Sequence, residues 1–274
     1  MKANKIEKKS GKHRVLTFLA LILVGAALCG IAVAYSKLRN LWLEQFVITD
    51  PNTQVSVNSG RLVKGDVIAE EFGLRKGANL ALIDYDSCRT KALEHNPAIR
   101  SLSMTRLPPN RIEIAVVERQ PIVRLKLKDR KAAERGCVAD ADGVAFRCFR
   151  RDMTEMLPII RERNDRATQW GVRLTGRKLA ALRLIELASD SEFSELAILE
   201  VDTTHPDYLI ATLGNYSIAK IAWDGMDAPT PANQKNLVAR LRTLLAAIRA
   251  STGLGIKTWD ATQPNTVYAK EPTP

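Results

Sequence analysis

Two cysteines and two aspartates lie within a short segment, and residues of these types could form a disulfide or transfer a phosphoryl group. The cysteines, Cys137 and Cys148, flank Asp142-Gly143, a pair that favours a two-residue β-hairpin turn. With that turn, residues whose numbers add to 285 lie opposite each other, which brings the Cα atoms of Cys137 and Cys148 to ~5.5 Å. This predicts a disulfide between them, provided that the segment lies in an oxidising compartment.

The aspartates offer an enzymatic interpretation. Asp140-x-Asp142 after an apolar strand resembles the start of a haloacid-dehalogenase-type phosphatase, in which the first Asp attacks phosphorus and the second handles the proton. Such an enzyme needs an α/β crossover directly after this loop, whereas residues 144–149 have the pattern of a returning hairpin strand. The hairpin interpretation is therefore favoured.

The familiar motifs of α/β hydrolases, zinc proteases and phosphate-binding loops are missing. The sequence has no G-x-S-x-G or H-E-x-x-H, and Gly60 and Gly65, which have phosphate-loop spacing, are followed by Asp66 where a lysine is needed. It has three histidines and no C-x-x-C pair, so a zinc site is not expected. We predict no catalytic residues, no metal, no cofactor and no small-molecule substrate.

The N-terminus predicts where the rest of the chain is located. Residues 1–14 carry six basic side chains and one acidic side chain, and residues 15–35 carry no charge. A helix of 21 residues reaches ~31 Å, which matches the hydrocarbon core of a bilayer. Because basic residues remain cytoplasmic, we expect a cytoplasmic tail over 1–14, a membrane span over 15–35 and a periplasmic or extracytoplasmic remainder.

A cleaved signal peptide is the alternative to a retained anchor. Ala32-Val33-Ala34 offers small residues at the spacing of a cleavage site. The apolar stretch is longer than the ~7 to 15 residues of a signal peptide, which favours the anchor.

The net charge of +11 could indicate nucleic acid as a partner. The tail 1–14 alone accounts for +5, which leaves +6 over the remaining 260 residues. We therefore predict no nucleic-acid partner.

After a juxtamembrane linker over 36–43, residues 44–120 have the pattern of a small mixed domain. The order is strand, helix, helix, strand, strand, in which Asp84 can cap the second helix and Asn96-Pro97 can end it. The last two strands flank a turn at 107–110.

Several short motifs in this domain resemble the POTRA domain of the bacterial cell-division family FtsQ, also called DivIB. They occur in the family's order: Gly77-x-Asn79-Leu80, Pro97 at the start of a strand, Arg106-x-x-Pro109 and Glu118-Arg119-x-Pro121. The resemblance implies an α+β fold: a transmembrane helix, a β-α-α-β-β POTRA domain over 44–120, a β-rich domain with amphipathic helices over 121–270, and a tail over 271–274. The C-terminal strand would be an edge strand.

The resemblance also implies a function. Members of the family are non-catalytic scaffolds of the division septum in the cytoplasmic (inner) membrane, and an FtsB- or DivIC-like partner, in complex with an FtsL-like protein, adds a strand to the C-terminal edge. Asp260 matches the family's Asp-Leu-Arg-Tyr-like motif there, whereas Thr262 and Gln263 depart from it. The candidate partner-binding residues are Trp259, Asp260, Asn265, Thr266, Val267 and Tyr268.

Two other interpretations remain open. POTRA domains also serve in membrane-anchored chaperone or translocation modules, and an exported enzyme with a dispersed site is the third class. A transport-type protein would continue into a membrane β-barrel, whereas the second half here contains amphipathic helices. On the longer of them, Lys235, Arg240, Arg242 and Arg249 are expected to face solvent or a partner.

Overall fold

The computed structural model describes residues 7–126, 136–162, 168–228, 230–263 and 265–270. The chain begins with one long helix, α1 (Glu7–Glu44). Its part from Leu16 to Glu44 is the one helix among the described residues that is long and apolar enough to cross a membrane. Residues 36–43, expected as a linker, continue this helix without a break.

The next domain has the predicted β-α-α-β-β order, with one additional short helix before it. Its elements are α2 (Pro51–Gln54), β1 (Val55–Asn58), α3 (Gly65–Glu71), α4 (Tyr85–His95), β2 (Ile99–Leu107) and β3 (Arg111–Glu118). The strands form a sheet in the order β1-β3-β2, in which β1 is parallel and β2 antiparallel to β3. Asp84 caps α4 as predicted, since its Oδ1 accepts a hydrogen bond from the Ser87 N–H at 3.1 Å.

The second domain is strand-rich and contains two long helices. Its elements are β4 (Val123–Lys126), β5 (Cys137–Ala139), β6 (Ala145–Arg147), α5 (Arg151–Thr154), β7 (Ile159–Arg161), α6 (Arg177–Ala188), β8 (Glu200–Asp202), β9 (Tyr208–Thr212), β10 (Ile218–Ala222), α7 (Pro231–Ala250), β11 (Thr258–Ala261) and β12 (Tyr268–Lys270). The nine strands form one sheet in the order β12-β11-β10-β9-β8-β7-β4-β5-β6. The predicted α+β fold is therefore confirmed.

The core of the second domain lies between this sheet and the helices. α7 contributes the apolar stripe that its spacing predicts, and four of its leucines are buried: Leu237, Leu241, Leu244 and Leu245. α6 contributes a second apolar face, and alternate residues of the strands complete the same core. A 3-10 helix (Ser191–Leu196) precedes β8 and contributes Phe193 and Leu196 to this core.

The hairpin β5–β6 corrects the predicted turn. Its loop has three residues instead of two: the Gly143 N–H donates to the Asp140 carbonyl at 2.9 Å, and Gly143 then adopts a left-handed φ of 80°. A side chain would strain this φ, so glycine suits the position. The strand pairing closes at Asp140 and Val144, where the Asp140 N–H donates to the Val144 carbonyl at 3.3 Å.

This one-residue difference invalidates the predicted disulfide register. The numbers of opposite residues add to 284 instead of 285, so Cys137 lies opposite Arg147. A shift of one residue moves a side chain to the other face of a sheet, and the two cysteines accordingly pack in different clusters. Cys137 belongs to the main core, Cys148 packs with Val138 and Phe146, and both thiols are free and buried.

The second face of the hairpin joins the two domains. Phe146, fully buried, belongs to a small apolar cluster that packs against Leu62 and Ala98 of the preceding domain. Beside it, Arg119 Nη1 donates to Asp140 Oδ2 at 2.6 Å. The junction therefore combines apolar packing with a buried ion pair.

Candidate partner-binding edge

The C-terminal strand β12 lies at one end of the nine-stranded sheet. It pairs antiparallel with β11, and Trp259 lies opposite Ala269 and Asp260 opposite Tyr268. β11 in turn pairs parallel with β10. Within the described parts of the chain, no strand pairs with the outer side of β12, so this side can accept one.

The opposite end of the sheet is partly covered. A segment of the chain at 171–174 runs beside β6, where the Gly171 N–H donates to the Ala145 carbonyl at 2.8 Å and the Ala145 N–H donates to the Val172 carbonyl at 3.2 Å. Val144 also forms an isolated bridge with Arg173. An added strand thus meets paired backbone groups at Ala145 on β6 and, within the described residues, an open edge at β12.

Of the predicted partner-binding residues, Tyr268 is the side chain best placed to contact an added strand. Its side chain is 58% exposed. It shares a sheet face with Asp260, its cross-strand partner, and with Lys220, the partner of Asp260 on β10. The face beside the edge therefore presents an aromatic ring, a carboxylate and an ammonium group in one row.

Two predicted contact residues pack against the core of their own domain. Trp259 is 3% exposed and packs in the main core, and Val267 is half-buried against the same core. The alternation of side chains along β11 accounts for Trp259, because its neighbour Asp260 occupies the opposite face. The prediction that the Trp259 side chain grips a partner is wrong, and the indole stabilises the strand next to the edge.

Asp260 shapes the turn that follows β11. Its Oδ1 accepts hydrogen bonds from the Thr262 N–H at 3.0 Å and from the Thr262 hydroxyl at 2.6 Å. Asn265 and Thr266 are exposed between this turn and β12. These two side chains remain accessible to a partner that approaches the edge.

The sequence did not reveal the role of Arg240 on α7. Its Nη1 donates to the carbonyls of Ala261 at 3.1 Å and Thr262 at 2.9 Å, which fastens the end of β11 to the helix. Burial lowers the pKa of the Arg240 guanidinium, and the charge of Asp224 opposes that shift. The position of Arg240 in the helical repeat does not distinguish it from the other basic residues of α7.

Two of those other arginines form exposed ion pairs. Arg242 pairs with Glu192 at 2.5 Å and Arg249 pairs with Glu195 at 2.6 Å. These pairs hold the pKa values of both glutamates below the usual range, through hydrogen bonds from the guanidinium groups. Arg240 therefore differs from its neighbours, because it contacts backbone carbonyls of the edge region.

The aspartates of the hairpin do not form a phosphatase site. Asp140 is paired with Arg119, its Oδ1 accepts the Val144 N–H at 2.8 Å, and the return strand β6 follows directly. An attacking carboxylate would need to be free to contact a substrate.

Ser217 and Lys220 have the S-x-x-K spacing of some serine nucleophiles, but the two side chains have other contacts and do not form a catalytic pair. The Ser217 hydroxyl donates to Asn215 Oδ1 at 2.7 Å, and Lys220 Nζ lies 5.3 Å from the centroid of the Tyr208 ring. Across the described residues, no group of three or more His, Cys, Asp or Glu side chains could hold a metal ion.

Together, the apolar N-terminal helix, the β-α-α-β-β domain and the strand-rich domain define a candidate membrane protein with two folded domains outside the span. Residues 51–119 match the POTRA domain, FtsQ-type. The chain thus contains an FtsQ-type POTRA domain behind an apolar N-terminal helix, which confirms the resemblance to FtsQ/DivIB over this region and is consistent with that family. No curated protein matches the chain.

Proposed function

We propose that the protein is a non-catalytic, membrane-anchored scaffold of bacterial cell division, as in the FtsQ/DivIB family. Residues 15–35 would cross the cytoplasmic (inner) membrane, with the basic tail inside and both folded domains outside, at the division septum. The FtsQ-type POTRA domain supports a division-associated role. The basic residues of the first fourteen positions support the orientation.

We further propose that an FtsB- or DivIC-like protein, in complex with an FtsL-like protein, adds a strand to the outer side of β12. One observation carries this proposal: among the residues that the structure describes, β12 ends the sheet without a neighbour on its outer side, while 171–174 pairs with the start of β6 at the other end. An added strand gains main-chain hydrogen bonds along β12 and side-chain contacts at alternate positions. Tyr268 supplies the exposed aromatic side chain at that edge, and Asn265 and Thr266 lie beside it.

Photo-cross-linking in dividing cells tests this edge. A benzoylphenylalanine at position 268 should cross-link to a small single-span coiled-coil division protein. The matched control is the same residue at Phe149, which is 72% exposed and lies beyond β6 at the opposite end of the sheet. Eight strand spacings of ~4.8 Å separate the two ends, so a probe at 149 should not reach the same partner.

Equal recovery of that partner from positions 149 and 268 would count against strand addition at β12. Cross-links from position 268 to many unrelated unfolded chains would favour the chaperone interpretation.

The division role has its own test, since depletion of the protein should produce filamentous cells. Dividing cells of normal length under depletion would contradict the scaffold proposal even if the edge binds a partner.

A retained anchor also has a direct test. Edman sequencing or intact mass of the membrane-extracted protein should give the N-terminal tail. A mature chain that begins near Tyr35 would instead show cleavage after Ala32-Val33-Ala34 and release both domains from the membrane.

A further inference from the structure

We propose that the end of the POTRA domain next to α1 rests on the lipid headgroups of the membrane that α1 crosses, with Leu82 and Leu107 as its apolar contacts. The proposal depends on the retained span proposed above. It concerns a surface in the other domain from the partner-binding edge, and the occupant is the lipid surface of the same membrane.

The length of α1 locates this end of the domain. Trp42 follows Arg14 by 28 residues within one unbroken helix, a rise of roughly 42 Å, which equals the ~40 to 45 Å of a bilayer with both headgroup layers. Basic residues mark the cytoplasmic side, and tryptophan is enriched at membrane interfaces. The Trp42 side chain is 55% exposed, so it is free to lie among the headgroups on the far side.

The POTRA domain is attached directly beyond this level. α1 ends at Glu44, and Asn79 Nδ2 donates to the Leu43 carbonyl at 2.9 Å. The Leu80 N–H donates to the Phe46 carbonyl at 3.0 Å. Because these bonds tie the loop at 79–83 to the end of the helix, no linker separates the domain from the membrane surface.

The attached end carries an apolar tip. Leu82 is 66% exposed and lies on this loop, and Leu107 is 37% exposed at the start of the turn between β2 and β3. Arg106 Nη2 donates to the Leu80 carbonyl at 2.9 Å, which holds that turn against the loop. The two exposed leucines therefore share the end of the domain that α1 enters.

Charges at this end have mixed signs. Glu44 and Asp84 are exposed there together with Arg106 and with Arg111, which lies opposite Leu107. Such a surface has no net preference for anionic over zwitterionic lipid. The apolar side chains carry the contact, which should therefore form in both kinds of bilayer.

Fluorescence quenching in nanodiscs tests this contact on the full chain. In a Cys29→Ala, Cys88→Ala background, whose remaining cysteines are buried, Leu82→Cys is labelled with the fluorophore NBD. The control is Val117→Cys, which is 51% exposed and lies six residues beyond Arg111 on β3, roughly 20 Å further along the strand. Lipids with a spin label near the headgroup should quench the probe at 82 several-fold more than the probe at 117.

The lipid composition separates the outcomes. Quenching of the 82 probe should be the same in phosphatidylcholine and in a phosphatidylcholine–phosphatidylglycerol mixture, and quenching only in the mixture would overturn an apolar contact.

Leu82→Asp should weaken quenching of a probe at Leu107→Cys. Equal, water-like signals from 82 and 117 in chains that remain in the nanodisc would refute the headgroup contact and leave the anchor intact. Chains that do not remain in the nanodisc would refute both.

Discussion

Arg119 and Asp140 form an ion pair across the boundary between the POTRA domain and the second domain, with 2.6 Å between Nη1 and Oδ2. The Arg119 side chain is 16% exposed and that of Asp140 is 6% exposed. Arg119 Nε also donates to the Pro97 carbonyl at 3.1 Å. The guanidinium therefore joins Asp140 of the second domain to the loop before β2 of the POTRA domain. Removal of Arg119 would leave the Asp140 carboxylate buried without a cationic partner, with the Val144 N–H as its remaining donor.

Arg119→Ala should therefore destabilise the chain by about 3 to 5 kcal/mol. The measurement is urea unfolding of the full chain in detergent, followed by tryptophan fluorescence. The control is Arg150→Ala, which removes an exposed pair with Asp152 and should leave the urea midpoint unchanged. A midpoint for Arg119→Ala that matches the control would show that apolar packing alone holds the junction.

Glu118 should be as sensitive as the ion pair. Its carboxylate accepts the backbone N–H groups of Arg61 at 2.8 Å, Leu62 at 2.9 Å and Val63 at 2.8 Å. Glu118→Gln replaces one acceptor oxygen with a donor that faces these N–H groups, so we expect a loss of about 1 to 3 kcal/mol in the free energy of unfolding. Glu113→Gln, an exposed position on the same strand, is the control, and equal stability of the two variants would contradict this role.

Arg240 should control the order of the C-terminal edge. Arg240→Ala removes both donors to the carbonyls of Ala261 and Thr262, and the turn into β12 then loses its attachment to α7. Hydrogen exchange should become faster across 258–270 and remain unchanged in the POTRA domain. Arg242→Ala, which removes an exposed pair with Glu192, should not change exchange at the edge.

Cys137 should make stability depend on alkaline pH. Burial, together with the charge of Glu162, raises the pKa of its thiol to about 12. In the unfolded chain the thiol ionises near pH 8.5, so the stabilisation is present below that pH and is lost as the pH rises towards 12, at up to about 1.4 kcal/mol per pH unit.

The comparison of wild type with Cys137→Ala isolates this thiol from the other ionisable groups, which both proteins share. The difference in unfolding free energy between the two proteins should shrink as the pH rises from 8 towards 10.5. A difference that is constant over this range would mean that the thiol is not buried in its neutral form.

Local signals in the sequence predicted most elements of the fold. Asp84 caps its helix as expected, and the leucines of α7 fall on the buried side, because both features depend on neighbours within a few residues. The hairpin loop was mispredicted because Asp142-Gly143 is compatible with two loop lengths. Only the bond from Gly143 to Asp140 distinguishes them.

Contacts between distant segments could not be predicted in the same way. Trp259 is of a residue type that is common at binding sites. It is buried because side chains alternate between the two faces of β11, and the pairing of β11 with distant strands decides which face is turned to the core. Arg240 meets carbonyls that lie more than twenty residues away. The free edge of β12 is likewise a property of the whole sheet order, which no single motif encodes.

The segment 171–174 along β6 has a consequence for stoichiometry. Since the start of β6 is already paired with the chain itself, an added strand is favoured at β12. This pairing hinders two copies from stacking head to tail through β6 and β12 into an open-ended fibre, which is the hazard of a sheet with two unpaired edges. The proposed strand addition at β12 therefore implies one added segment per molecule.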